Sequence, residues 1–127
     1  MGAYSRNIVR RSTALTSTSF TNSESARQAV QADGANLAGP VGISTVRCKR
    51  KSGTGTNDIT VRGYSASSGG VEMFEQTFSA LADEDTDSQT YAALLPLVSG
   101  EVFFVTFENS AADASTAEFT ADYEVTK

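Results

Sequence analysis

"AEFTADYEV", residues 117–125, decides how this chain is read. Ala117, Phe119, Ala121, Tyr123 and Val125 alternate with Glu118, Thr120, Asp122 and Glu124. A strict period of two sends apolar side chains to one face and polar ones to the other, the pattern of a half-buried antiparallel strand. Just upstream, "EVFFVTFEN" (101–109) sets Phe103, Val105 and Phe107 on one face and Val102 and Phe104 on the other. β-Branched and aromatic residues dominate, so this is a strand, either central or backed by an interface. "NSAADAST" between the two is a loop, and the pair is expected to form a C-terminal hairpin with a long turn.

Further strands follow towards the N-terminus. "LLPLVSGE" (94–101) has a proline and a Ser-Gly turn, a bend into the strand at 101. "GVEMFEQTFSAL" (70–81) and "NDITVRGY" (57–64) are strands joined by the small-residue turn "SASSGG"; Ile59 and Val61 share a face in the second. "VGISTVRCKRK" (41–51) places Val41, Ile43 and Thr45 on one side and Val46 and Cys48 on the other, and becomes polar at its end. "STALTSTSFT" (12–21) suits an edge strand. "NSESARQAVQADG" (22–34) opens on Asn and Ser and closes on Gly34, which meets helix start and stop rules; a short helix is expected there, with an irregular strand as the alternative. The expectation is an all-β, antiparallel, jelly-roll-like β-sandwich of about 6–8 strands with at most one short helix. Residues 12–127 form its single domain, and the polar, basic "MGAYSRNIVRR" (1–11) is expected to be an arm that orders on a partner.

Composition removes several function classes. The chain has 127 residues, one cysteine, no histidine and no tryptophan. One cysteine excludes an internal disulfide and a multi-cysteine metal site. Without histidine, the usual triads and HExxH zinc sites cannot be built. No window approaches the ~18 apolar residues of a membrane helix. The N-terminus lacks the apolar stretch of a signal peptide, so the chain is expected to be made and used without Sec export. Residues 1–62 carry nine Lys/Arg against three Asp/Glu, and residues 63–127 carry one Lys against twelve Asp/Glu. This asymmetry either makes a dipolar surface suited to head-to-tail contacts or is mixed away by strands interleaving from both halves.

"VRCKRKSGTGTND" (46–58) holds Cys48, four cations and a glycine-rich run. A Walker A loop needs a lysine after its last glycine and a following helix; here no lysine follows Gly53 or Gly55, and strand-like "DITV" comes next. Nucleic-acid binding would want aromatic residues interleaved with the cations, yet the nearest is Tyr64 and the chain is acidic overall. The stretch is therefore expected to be a hairpin turn whose basic tip points outward, with the "DEDTD" loop (83–87) of a second copy as the acidic surface it meets.

Asp83, Asp85 and Asp87 have calcium-like spacing, but an EF-hand would need Gly where Ser88 stands and an acid where Leu94 stands. A looser calcium loop or a simple solvated acidic loop remains. Among Glu72, Glu75, Glu101 and Glu108 nothing singles out a glycosidase pair, and no serine sits in GxSxG or SxxK. Neighbouring cations could lower the Cys48 pKa, but no histidine base accompanies it, so a small, partly buried cysteine is the simpler reading. No catalytic residue and no cofactor is expected.

The Thr/Ser/Ala-rich "TALTSTSFTNSESA", the closing "LVSGEVFFVTFENSAADASTAEFTADYEV" and the polar arm resemble the small β-sandwich decoration, or cement, proteins of tailed bacteriophages. No family motif matches residue by residue. The resemblance implies a virion structural protein that binds and stabilises the outside of a phage head, often as a trimer. Its partners would be copies of itself and a major capsid protein, with no nucleic acid, membrane or small-molecule ligand. Interface candidates are Arg6, Arg10 and Arg11 in the arm, Lys49, Arg50 and Lys51 at the tip, and Phe104 on its free face. The alternatives are a tail or fibre component, or a carbohydrate- or calcium-binding module using Tyr64, Phe74, Tyr91 and Phe104.

Overall fold

A computed structural model describes residues 8–16, 19–31, 41–97, 102–112 and 114–126. Eight strands account for most of them: β1 (Ile8–Thr16), β2 (Gln28–Gln31), β3 (Val41–Ser52), β4 (Asn57–Tyr64), β5 (Glu72–Leu81), β6 (Thr86–Leu97), β7 (Val102–Asn109) and β8 (Thr116–Thr126). They form two four-stranded antiparallel sheets, ordered β1-β8-β3-β6 and β2-β7-β4-β5. This is the eight-stranded jelly roll, two sheets interleaved as Greek keys. No helix occurs among the described residues.

The alternation that defines the strands also builds the core. Phe103, Val105 and Phe107 of β7 and Ala117, Phe119 and Ala121 of β8 are all essentially buried. The two strands lie in different sheets, so they face each other across the core and do not form the expected hairpin. Phe103 meets Phe119 edge-on at 6.4 Å, and Phe74 of β5 stacks near the same ring at 6.2 Å. Each strand has one apolar face to bury, and opposing sheets satisfy both at once.

The same geometry changes the basic turn. β3 lies in the first sheet and β4 in the second, so residues 53–56 turn a corner between sheets and do not close a hairpin. β3 also changes face partway. Its pairing with β6 and β8 shifts between Ile43 and Thr45, and past this bulge Val46, Cys48 and Arg50 join Ile43 inside.

Three further segments depart from expectation. The segment expected to be helical contains β2, which pairs with β7 from Gln28↔Val105 to Gln31↔Val102; Ala29 and Val30 alternate as exposed and buried, and packing overrides the capping signals. Residues 86–97, read as acidic loop and bend, form the edge strand β6. Pro96 is tolerated there because an edge strand leaves one side unpaired. β1 begins at Ile8, so the backbone of residues 8–11 is paired across from residues 123–126 instead of forming part of a free arm. Arg10 lies opposite Glu124 and Arg11 opposite Tyr123 in that register, while Arg6 lies outside the described residues.

Candidate functional site

The corner between β3 and β4 places its three cations very differently. Lys49 and Lys51 are partly exposed, whereas Arg50 is completely buried. The expectation that Arg50 points outward is overturned by strand parity: past the bulge, alternate residues of β3 face the core. Its guanidinium is held by backbone carbonyls. Nε donates to Ser52 O at 3.2 Å, Nη1 to Gly55 O and Leu81 O at 2.8 Å each, and Nη2 to Thr54 O at 3.3 Å. Gly53 (φ +135°) lets the turn close over the group: a Cβ there would stand 2.0 Å from Nη2. The Arg50 backbone also clasps the β5–β6 turn, donating to Asp85 O and accepting from Glu84 N.

Lys49 and Lys51 do meet the "DEDTD" loop, but their own. Lys49 Nζ lies 3.1 Å and Lys51 Nζ 3.9 Å from Glu84 Oε2. The hydrogen bond from Lys49, reinforced by both lysine charges, holds the Glu84 carboxyl below its ordinary value. The aspartates beside it serve the turn: Asp85 Oδ2 accepts from Ala82 N, and Asp87 Oδ1 from Ser88 N. No group of three or more His, Cys, Asp or Glu able to hold a metal converges among the described residues.

The outer face of the β2-β7-β4-β5 sheet carries a second polar array. Arg62, in mid-sheet, donates from Nε to Glu75 Oε2 at 2.7 Å and from Nη1 to Glu108 Oε1 at 2.8 Å. Hydrogen bonds to Glu108 and then Glu75 raise its pKa and fix its charge. One row along, Glu24 accepts from both Tyr64 OH and Thr106 Oγ1 at 2.5 Å. Arg27 stacks 3.7 Å above the Tyr64 ring and donates to Ala66 O and Gly69 O. A polar cleft of about 260 Å³ opens at the other end of this face, between Asp58, Thr60, Thr77 and Glu108. Its groups are largely engaged: Thr60 and Thr77 bond to each other, Asp58 accepts from Ala80 N, and Glu108 holds Arg62.

The four aromatic residues proposed for sugar stacking do not form one platform. Phe74 belongs to the core. Tyr91 lies on β6 in the other sheet, packed against the core with its hydroxyl buried and unpartnered. Only Tyr64 and half-buried Phe104 share a face, opposite each other in register, and Arg27 covers the tyrosine ring. Cys48 is fully buried, not partly so. Burial, and secondarily the charge of Asp87, push its thiol up to about 12, the reverse of an activated nucleophile.

The halves of the sequence mix their charges. Arg47 meets Asp122 at 2.8 Å, the lysines meet Glu84, and Arg62 meets Glu75 and Glu108. Each pair joins a cation from the first half to an acid from the second, within one chain. Interleaved strands thus dissolve much of the dipole that the linear sequence suggests.

No protein-family model matches the chain, and no curated protein matches it in sequence. Among solved structures it is similar to a protein of the Bacillus endospore appendages, which form a family of disulfide-linked pili. The TM-score is 0.53 at 18% identity, covering 96% of this chain and 90% of that one. At this identity the likeness shows a shared fold.

Proposed function

We propose that this chain is a non-enzymatic structural subunit that works by packing beside copies of itself. The observation that carries this reading is the fold match, over nearly the whole length of both chains, to a protein that builds pili. The chemistry of the described residues supports it. The ionisable groups on the outer faces are mostly engaged in ion pairs and backbone bonds, and the cysteine is buried with a raised pKa. Such faces suit protein contact better than turnover.

The binding mode differs from that of the pilus protein in one respect. This sequence has a single cysteine, and it lies in the core. Contacts between copies of these 127 residues therefore form without disulfides. Two forms of assembly follow. Decoration of a phage head, as a trimer on a major capsid protein in the virion, is supported by the resemblance of the Thr/Ser/Ala-rich segments and the closing strands. A filament of the chain's own is supported by the fold likeness. Light scattering across a concentration series, with negative-stain microscopy in the presence and absence of capsid shells, tests both. Oligomers that bind only to shells favour decoration, and filaments without shells favour the appendage form. A protein that stays monomeric and binds no particle overturns the reading.

A further inference from the structure

Arg50 is a fully buried cation with no ion-pair partner among the described residues; its charge is met by neutral oxygens. The four carbonyls come from two separate places, the 52–55 turn and Leu81 at the end of β5. With its amide turned so that the oxygen faces the guanidinium, Asn57 adds a fifth acceptor, 3.2 Å from Nη2. Gly53 provides the space that the planar group fills. The acceptors are set by backbone that is itself fixed: Arg50 N and O bond the β5–β6 turn, and Ser52 Oγ bonds Thr116 Oγ1 and receives Thr116 N.

We propose that this end of the sandwich contains a receptor for a planar guanidinium cation, plugged in the native chain by its own Arg50. The carbonyls surround the rim of the group and present no negative charge, so they select a flat, multi-donor, weakly hydrated cation. A compact ammonium or alkali ion would find the acceptors too spread out and would lose more hydration. In the native protein the plug fastens the β3–β4 corner to the β5–β6 turn, making Lys49, Lys51 and Glu84 parts of one rigid tip.

Two experiments test this. In the native chain, phenylglyoxal modification mapped by mass spectrometry should leave Arg50 unmodified while partly exposed Arg47 reacts. Equal modification of the two in folded protein overturns the proposal. In Arg50→Ala the receptor is vacated, and the melting temperature should fall. Methylguanidinium at millimolar concentration should then raise it by roughly 3–6 °C in a saturable manner. Sodium, potassium and methylammonium at equal ionic strength should not, and native protein should show no rise. If Arg50→Ala is unfolded, recovery of the strand signal in circular dichroism on adding methylguanidinium supports the receptor. Failure of methylguanidinium to stabilise or refold the variant, or equal rescue by every salt, overturns it.

Discussion

Arg50 and Cys48 sit two residues apart on β3 and face the same interior, yet the interior holds them by opposite means. The guanidinium has four carbonyl acceptors. Charge-assisted bonds contribute about 1.5–3 kcal/mol each, enough to offset a desolvation cost of several kcal/mol. Cys48 has no such partners and behaves as a small hydrophobe. Its thiol is raised from 9.0 to about 12, so the folded state resists its ionisation. The stability this contributes is fully present below pH 9 and is lost as the pH rises towards about 12. Native protein should therefore lose stability relative to Cys48→Ala across that window, measured by urea denaturation at stepped pH. Parallel curves for the two proteins would show that the thiol ionises freely when folded. Neither residue's role was legible in the linear sequence. "RCKRK" reads as one basic cluster, whereas the strand's alternation past the bulge between Ile43 and Thr45 turns Arg50 inward and leaves Lys49 and Lys51 partly exposed.

Among the elements, residues 20–27, which lead into β2, act as a strap. β2 covers β7 only as far as Val105, leaving residues 106–109 without a strand on that side. The strap completes the edge: Ser25 N donates to Phe107 O, Ser25 Oγ accepts from Phe107 N, and Thr21 O accepts from Asn109 N. Phe20 anchors it by stacking on Phe107 at 5.2 Å. Covering an exposed edge in this way guards it against unintended pairing. Glu24 pins the strap to the sheet. Although burial opposes it, hydrogen bonds from Thr106 and Tyr64 and the charges of Arg62 and Arg27 hold its carboxyl below the ordinary 4.5. A depressed carboxylate contributes stability above its unfolded pKa and loses it as pH falls through the folded value. Glu24→Gln should therefore destabilise the protein at neutral pH. The gap to native protein should close below the carboxylate range, and faster amide exchange should be confined to residues near 20–27 and 106–109. A gap independent of pH would show that shape, not charge, holds the strap. Long alternating strands such as β4, β7 and β8 are readable because every second residue reports the face. β2 is not: four residues of "QAVQ" sit in a segment rich in helix formers, and its strand state comes from β7, a partner some seventy residues away in the chain.

At the scale of the whole molecule, the question is what force brings copies together. The charge split along the chain allows either attraction between opposite ends of neighbouring copies or mixing of the charges within one copy. The fold converts much of it into pairs within one copy: Arg47–Asp122, Lys49–Glu84 and Arg62 with Glu75 and Glu108. What remains for a neighbour to feel is the net charge of −5, which is repulsive between like copies. Salt should therefore strengthen self-association: raising it from about 20 to 300 mM shortens the screening length from roughly 20 to 6 Å and removes repulsion faster than it weakens close contacts. Apparent mass by light scattering should rise across this range and be unchanged by reductant, since Cys48 is in the core. Lys49→Glu with Lys51→Glu should change folding stability only slightly, as expected for exposed pairs. By leaving a more negative particle, it should move the association midpoint to higher salt without abolishing assembly. If instead assembly is strongest at low salt and lost in this double variant, the lysines meet an acidic surface on a neighbour, and their pairing with Glu84 is a resting arrangement that association displaces.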